Sequence, residues 1–147
     1  PSTQLNAQNQ SGETALMLAA IHNQLDLAKV LIERGADINK PGWTPLHYAA
    51  TRGHRDMMRL LLDNDAYIDS ESANGTTPLM LAAYSAPPLA VKLLLEEGAD
   101  PTLVNNANAS ALDLALHSDH QQSAFYIRAF IEAWFIQNPL KEESVEK

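Results

Sequence analysis

Cysteine is absent from the 147 residues, which removes disulfides, zinc-thiolate sites and cysteine nucleophiles from consideration. Also missing is any run near the ~18 to 20 uninterrupted apolar residues that a membrane-spanning helix needs. Basic residues are scarce, 10 Lys and Arg against 18 Asp and Glu, for a formal charge of −8. Nucleic-acid binding draws much of its affinity from clustered lysine and arginine, so this balance argues against such a partner and favours a neutral or basic one. No glycine-rich phosphate loop, serine elbow or carboxylate dyad is present; the chain reads as a non-enzyme, and no cofactor is implied. The opening Pro1-Ser2-Thr3-Gln4 lacks the basic start and apolar stretch of a signal peptide. What the chain does have is 46% apolar content within one domain's length, enough for a core.

That apolar content is periodic. The stretch Gly42-Trp43-Thr44-Pro45-Leu46-His47-Tyr48-Ala49-Ala50 has a copy upstream, Gly12-Glu13-Thr14-Ala15-Leu16-Met17-Leu18-Ala19-Ala20, and another downstream, Gly75-Thr76-Thr77-Pro78-Leu79-Met80-Leu81-Ala82-Ala83. A degenerate fourth reads Asn108-Ala109-Ser110-Ala111-Leu112-Asp113-Leu114-Ala115. The repeated threonine advances by 30 residues from Thr14 to Thr44, then by 33 to Thr77 and by 33 to Ser110. Each of the first three copies is followed by an apolar run with a terminal signal, such as Val30-Leu31-Ile32-Glu33-Arg34-Gly35-Ala36-Asp37. The period and the Thr-Pro-Leu-His-x-Ala spelling resemble the ankyrin repeat family.

The resemblance implies an all-α solenoid of stacked helix pairs joined by β-hairpin fingers, about four repeats with a C-terminal capping helix. Residues 1–138 form a single domain: a partial finger at 1–10, then repeats at about 11–40, 41–73, 74–106 and 107–138. Residues 139–147 read as an acidic, disordered tail. Leu5-Asn6 sits 33 residues before Ile38-Asn39, so the chain opens in mid-repeat and a helix pair is expected to precede it. First helices are predicted near 15–22, 45–52 and 78–85, and second helices near 25–34, 55–64 and 88–97, with Leu25, Leu27, Val30 and Leu31 forming the first apolar face. Gly35 and Gly98 suit a left-handed helix end, and Asp65 in that place is expected to be strained by about 1 kcal/mol. The finger closing through Lys40-Pro41-Gly42 is three residues shorter than the others, which should leave a notch. Gln121 to Gln137 reads as a longer terminal helix with Ala124, Ile127, Ile131, Trp134 and Phe135 on one stripe.

Several polar groups invite a chemical reading. His47 and His54 stand where the resemblance implies that ring and threonine hydroxyl satisfy neighbouring backbone groups. Asp113, His117 and His120 have a helical spacing that suggests a metal site, although His120 falls in a turn. The run from Asp63 to Glu71 alternates carboxylates like a calcium loop, but Ile68 stands where the turn glycine is needed. Asn74-Gly75-Thr76 and Asn108-Ala109-Ser110 match the glycosylation triplet only because the repeat places turn residues there.

What remains is a surface. The resemblance implies that a partner protein meets a concave groove of fingers and first helices, through the residue after the turn glycine and the two after Ala-Ala. Those residues are Glu13, Ile21 and His22; Trp43, Thr51 and Arg52; Thr76, Tyr84 and Ser85; and Ala109, His117 and Ser118. Trp43, Arg52 and Tyr84 belong to the residue types that dominate interface hot spots. The expected function is therefore protein–protein interaction by a monomer. The alternative is an assembly role through the exposed first repeat or the aromatic terminal helix, where oligomers would form through the termini. Spelling such as Gly98-Ala99-Asp100-Pro101-Thr102-Leu103 looks like compact bacterial ankyrin proteins, which leans towards a bacterial cytoplasm or periplasm without assigning a compartment.

Overall fold

The computed structural model describes residues 2–139; the expected tail beyond Pro139 lies outside them. Its helices are α1 (Ser2–Leu5), α2 (Ala15–Ile21), α3 (Leu25–Glu33), α4 (Pro45–Arg52), α5 (Arg55–Asp63), α6 (Pro78–Ser85), α7 (Pro88–Glu96), α8 (Ala111–His117) and α9 (Gln121–Gln137). After the single turn of α1, which precedes the first finger, they form four antiparallel pairs. Helices α2, α4, α6 and α8 pack side by side in one layer, and α3, α5, α7 and α9 lie behind them.

Each first helix begins where its side chains dictate. Thr14, Thr44, Thr77 and Ser110 are extended N-caps whose hydroxyls accept from the backbone N–H three residues on, satisfying a donor that has no partner inside the helix. The side chain at that third position accepts in return from the N-cap N–H: Met17 Sδ at 3.4 Å, His47 Nδ1 at 3.1 Å, Met80 Sδ at 3.5 Å and Asp113 Oδ2 at 2.9 Å. Asp113 is thus the fourth unit's version of the cap. Two and five residues after each cap come the core positions. Leu16, Leu46 and Leu79 are buried, and Ala19, Ala49, Ala82 and Ala115 are wholly enclosed, small enough to let neighbouring helices approach closely.

The second helices of the first three units stop at left-handed residues, Gly35, Asp65 and Gly98. The alanine that follows donates back to a carbonyl in the last turn, at 2.9 to 3.0 Å in all three. Asp65, with φ 69°, adopts the conformation that Asp tolerates better than most non-glycine residues. The fingers close by turns: Gly12, Gly75 and Asn108 each donate to the carbonyl three residues earlier. Ladder pairing among the described residues is limited to one bridge, Val104 with Ser110. The shortened finger does leave an open notch of about 320 Å³ against its neighbour.

Two expectations about apolar faces need correction. On α3, which packs on α2 and α5, Leu25 and Leu31 are half-buried against the core as expected and Ala28 is buried, but Leu27 and Val30 are 45% and 42% exposed. On α9 the stripe holds at Ala124 and Ile127, both buried, and at Ile131, half-buried against the core, and then runs out, leaving Trp134, Phe135 and Ile136 exposed. The cause is length. Helix α9 has 17 residues against 9 in α7, about 25 Å against about 13 Å at 1.5 Å per residue, so its second half overhangs its support.

Candidate functional site

Three kinds of bond hold successive units together and decide which polar groups are left for a partner. First, the orphan carbonyls at the ends of the first helices are taken by the next unit. His54 Nε2 meets Ile21 O and His120 Nδ1 meets Ala83 O, both at 2.9 Å. Pro87 occupies the corresponding place in the third unit, and Ser85 Oγ does the work instead, reaching Thr51 O at 2.9 Å and Leu81 O at 3.0 Å. Second, His47 reaches from the second unit to Thr76 O at 2.9 Å through Nε2. With Thr44 N–H donating to Nδ1, the consistent tautomer is neutral with its proton on Nε2. Burial lowers the His47 pKa below 6.5, against the pull of the Thr76 carbonyl.

Third, a spine runs through the fingers. Asn6 Oδ1 accepts from Asp37 N–H at 2.8 Å, Asn39 Oδ1 from Tyr67 N–H at 2.9 Å, and Asp69 Oδ1 from Asp100 N–H at 3.1 Å. Sequence reasoning missed this spine, though the Leu5-Asn6 and Ile38-Asn39 pairing held the clue. Burial raises the Asp69 pKa; the Asp100 N–H opposes the shift and the Asp100 carboxylate adds to it.

Against that background the expected contact residues divide. Trp43 is 39% and Tyr84 52% exposed, and Arg52 and His22 are exposed. The Trp43 ring leans on the first turn of α4, 5.7 Å from His47 and 5.1 Å from Tyr48, edge to face with the latter. Tyr48, which sequence reasoning passed over, links this group to the preceding unit. Burial, and then the Glu13 carboxylate beside it, holds its phenol above the ordinary value. Glu13 and Trp43 therefore share one cluster. Arg52 lies at the other end of α4, eight residues long or about 12 Å. The Ser85 bond to Thr51 joins that end to the end of α6 that carries Tyr84.

The remaining positions are more engaged. Thr76 is 9% exposed and its hydroxyl donates to Asn74; Thr51 donates to His47 O and Ser118 to Leu114 O. Ile21 and Ala109 are half-buried, and His117 is exposed on α8. Asp113, His117 and His120 do not converge: Asp113 is in its cap and His120 faces Ala83. Among the described residues no three His, Asp or Glu side chains gather as metal ligands. The Asn74 side chain is likewise engaged, accepting from Ser72 and Thr76.

Comparison with known proteins adds the family. The family model described as "Ankyrin repeats (3 copies)" matches residues 2–72, and that described as "Ankyrin repeat" matches residues 74–106. Neurogenic locus notch homolog protein 1 of Xenopus tropicalis is 40% identical over 114 residues, which is 75% of this chain and 4% of that protein. Its Mus musculus counterpart gives the same figures. Ankyrin repeat and KH domain-containing protein mask-1 of Caenorhabditis elegans is 33% identical over 122 residues, 80% of this chain and 5% of that protein. The chain spans 4 to 5% of the length of these relatives, which are animal proteins and lend the bacterial leaning no support. The two family models cover most of the chain, and they fall on a stack of helix pairs capped by the same repeated threonine or serine; the chain belongs to the ankyrin-repeat family.

Proposed function

We propose that this chain is a protein-binding module whose partner lies against the face formed by the fingers and first helices, with Trp43, Arg52 and Tyr84 as anchors. Ankyrin repeats are in general protein-interaction folds, and the relatives carry them as small parts of long chains. The observation that carries the reading is a division of labour. Most polar groups along the first helices are engaged, in caps (Thr14, Thr44, Thr77, Ser110 and Asp113), in a bond to the helix itself (Thr51) or in bonds to a neighbouring unit (His47 and Ser85), whereas these three large side chains stay exposed. Trp, Arg and Tyr are the types that concentrate binding energy in interfaces. Around them Glu13, Ile21, His22, Thr51, Ser85 and His117 form the rim; Thr76 supports it from beneath. Catalysis and cofactor binding have no part in this reading.

The test is an affinity capture with wild type and with the Trp43→Ala, Arg52→Ala, Tyr84→Ala triple variant, followed by titration of any protein retained only by wild type. Trp43→Ala alone is expected to weaken that partner by roughly 2 kcal/mol, about 30-fold, with an unchanged circular dichroism spectrum. Identical capture by the triple variant overturns the proposal.

A second reading, self-assembly, is favoured by the exposed Leu27 and Val30 at one end and Trp134, Phe135 and Ile136 at the other. Sedimentation separates the two readings. Concentration-dependent dimers that vanish on Trp134→Ser support assembly, and a monomer at all concentrations removes it.

A further inference from the structure

The notch beside the shortened finger is lined by Asn39, Lys40, Pro41, Tyr67, Ser70 and Glu71. Its volume, about 320 Å³, is at the low end for ligand pockets, so it fits one long side chain rather than a helix. Most of its polar groups are already engaged. The Asn39 amide donates to Asp65 O and accepts from Tyr67 N–H. Ser70 Oγ donates to Tyr67 O at 2.7 Å, and the Lys40 ammonium sits 3.4 Å from the Asp37 carboxylate. What remains for a visitor is the Tyr67 ring, 67% exposed, the Pro41 ring and the exposed Glu71 carboxylate, which has no ion pair among the described residues.

We infer that this notch receives an arginine side chain from a protein partner, with the guanidinium over the Tyr67 ring and against Glu71, and the methylenes against Pro41. A cation is attracted to an aromatic face and to the unpaired carboxylate. The arginine fork is planar and weakly hydrated, so it stacks where a lysine ammonium would keep its water. An acidic visitor is opposed by Glu71 and by the net charge of −8, since the Lys40 charge is held by Asp37. The site uses none of Trp43, Arg52 and Tyr84, so it stands or falls independently of the proposed row of anchors.

Nitrogen-edited NMR of the full chain, titrated with capped Gly-Arg-Gly, tests it. Shifts confined to residues 39–41 and 67–71 are expected, with a dissociation constant on the order of 1 to 10 mM. The neutral isostere Gly-citrulline-Gly should bind at least roughly tenfold more weakly, and Gly-Lys-Gly more weakly than arginine. Glu71→Gln should lower the arginine affinity severalfold, Tyr67→Ala should abolish the shifts and Tyr67→Phe should keep them. Equal binding of the citrulline peptide, no effect of Glu71→Gln, a glutamate peptide seated in the same residues, or no shift at all would each overturn the assignment.

Discussion

His47 shows how much one side chain settles. Its Nδ1 completes a cap within its own unit and its Nε2 bonds the next, so the ring must be neutral to do both. The sign of the resulting pH dependence follows. Burial sets the folded pKa below 6.5, so between those two values the unfolded chain binds the proton and the folded chain does not. The contribution is complete above about pH 6.5 and is lost as the pH falls towards the folded value, by at most about 1.4 kcal/mol per pH unit. Urea melts at pH 7.5 and 5.5 should show a larger loss for wild type than for His47→Gln. Identical losses would remove His47 from the balance. The family resemblance already implied that this ring and the threonine hydroxyl satisfy neighbouring backbone groups, as they do. The Pro87 to Ser85 exchange was not legible beforehand, because a hydroxyl two residues earlier reaches a carbonyl 34 residues away.

Helix bounds were readable to within a residue where a Thr cap opened the run, as in α2, α4 and α6, or a left-handed residue closed it, as in α3, α5 and α7, since both act on their immediate neighbours. How far the faces of α3 and α9 are covered was not, because periodicity shows which side chains share a face and says nothing of what lies over it. Fingers depend on bonds between residues 28 to 31 apart, beyond the reach of local pattern. Asp69 holds the place that Asn fills at Asn6 and Asn39, and its carboxylate is raised by burial. A carboxyl raised above its unfolded pKa costs stability once the pH exceeds the unfolded value near 3.8. Asp69→Asn keeps the acceptor without the charge, so its thermal midpoint should rise at pH 7 and gain less at pH 4. A lower midpoint at pH 7 would show that the charge itself helps.

Stability should be uneven from end to end. Solenoid units gain most of their free energy from neighbours, and here the support differs: α3 buries Ala28 alone, whereas α7 buries Ala90, Val91, Leu93, Leu94 and Leu95. With about 1.5 to 3 kcal/mol for each large aliphatic side chain enclosed, amide exchange in α7 should track global unfolding. Exchange in α3 should be faster by an order of magnitude or more. Equal protection of the two would mean that the stack melts as one unit. The proposed row of anchors spans the better-supported middle, on α4 and α6, at positions that the family resemblance implies. What register could not show is that Trp43 rests against Tyr48 and thereby on Glu13 one unit back.

The finger spine asks each unit for one acceptor side chain and one main-chain N–H. Asp37, Tyr67 and Asp100 all supply that hydrogen, and any residue but proline has it to give. The spine bond itself is therefore blind to the side chain at those positions. At Tyr67, whose ring makes no hydrogen bond back to the described residues of the fold, that leaves a free letter in a fixed grammar, where selection can rewrite a surface without disturbing the architecture beneath it.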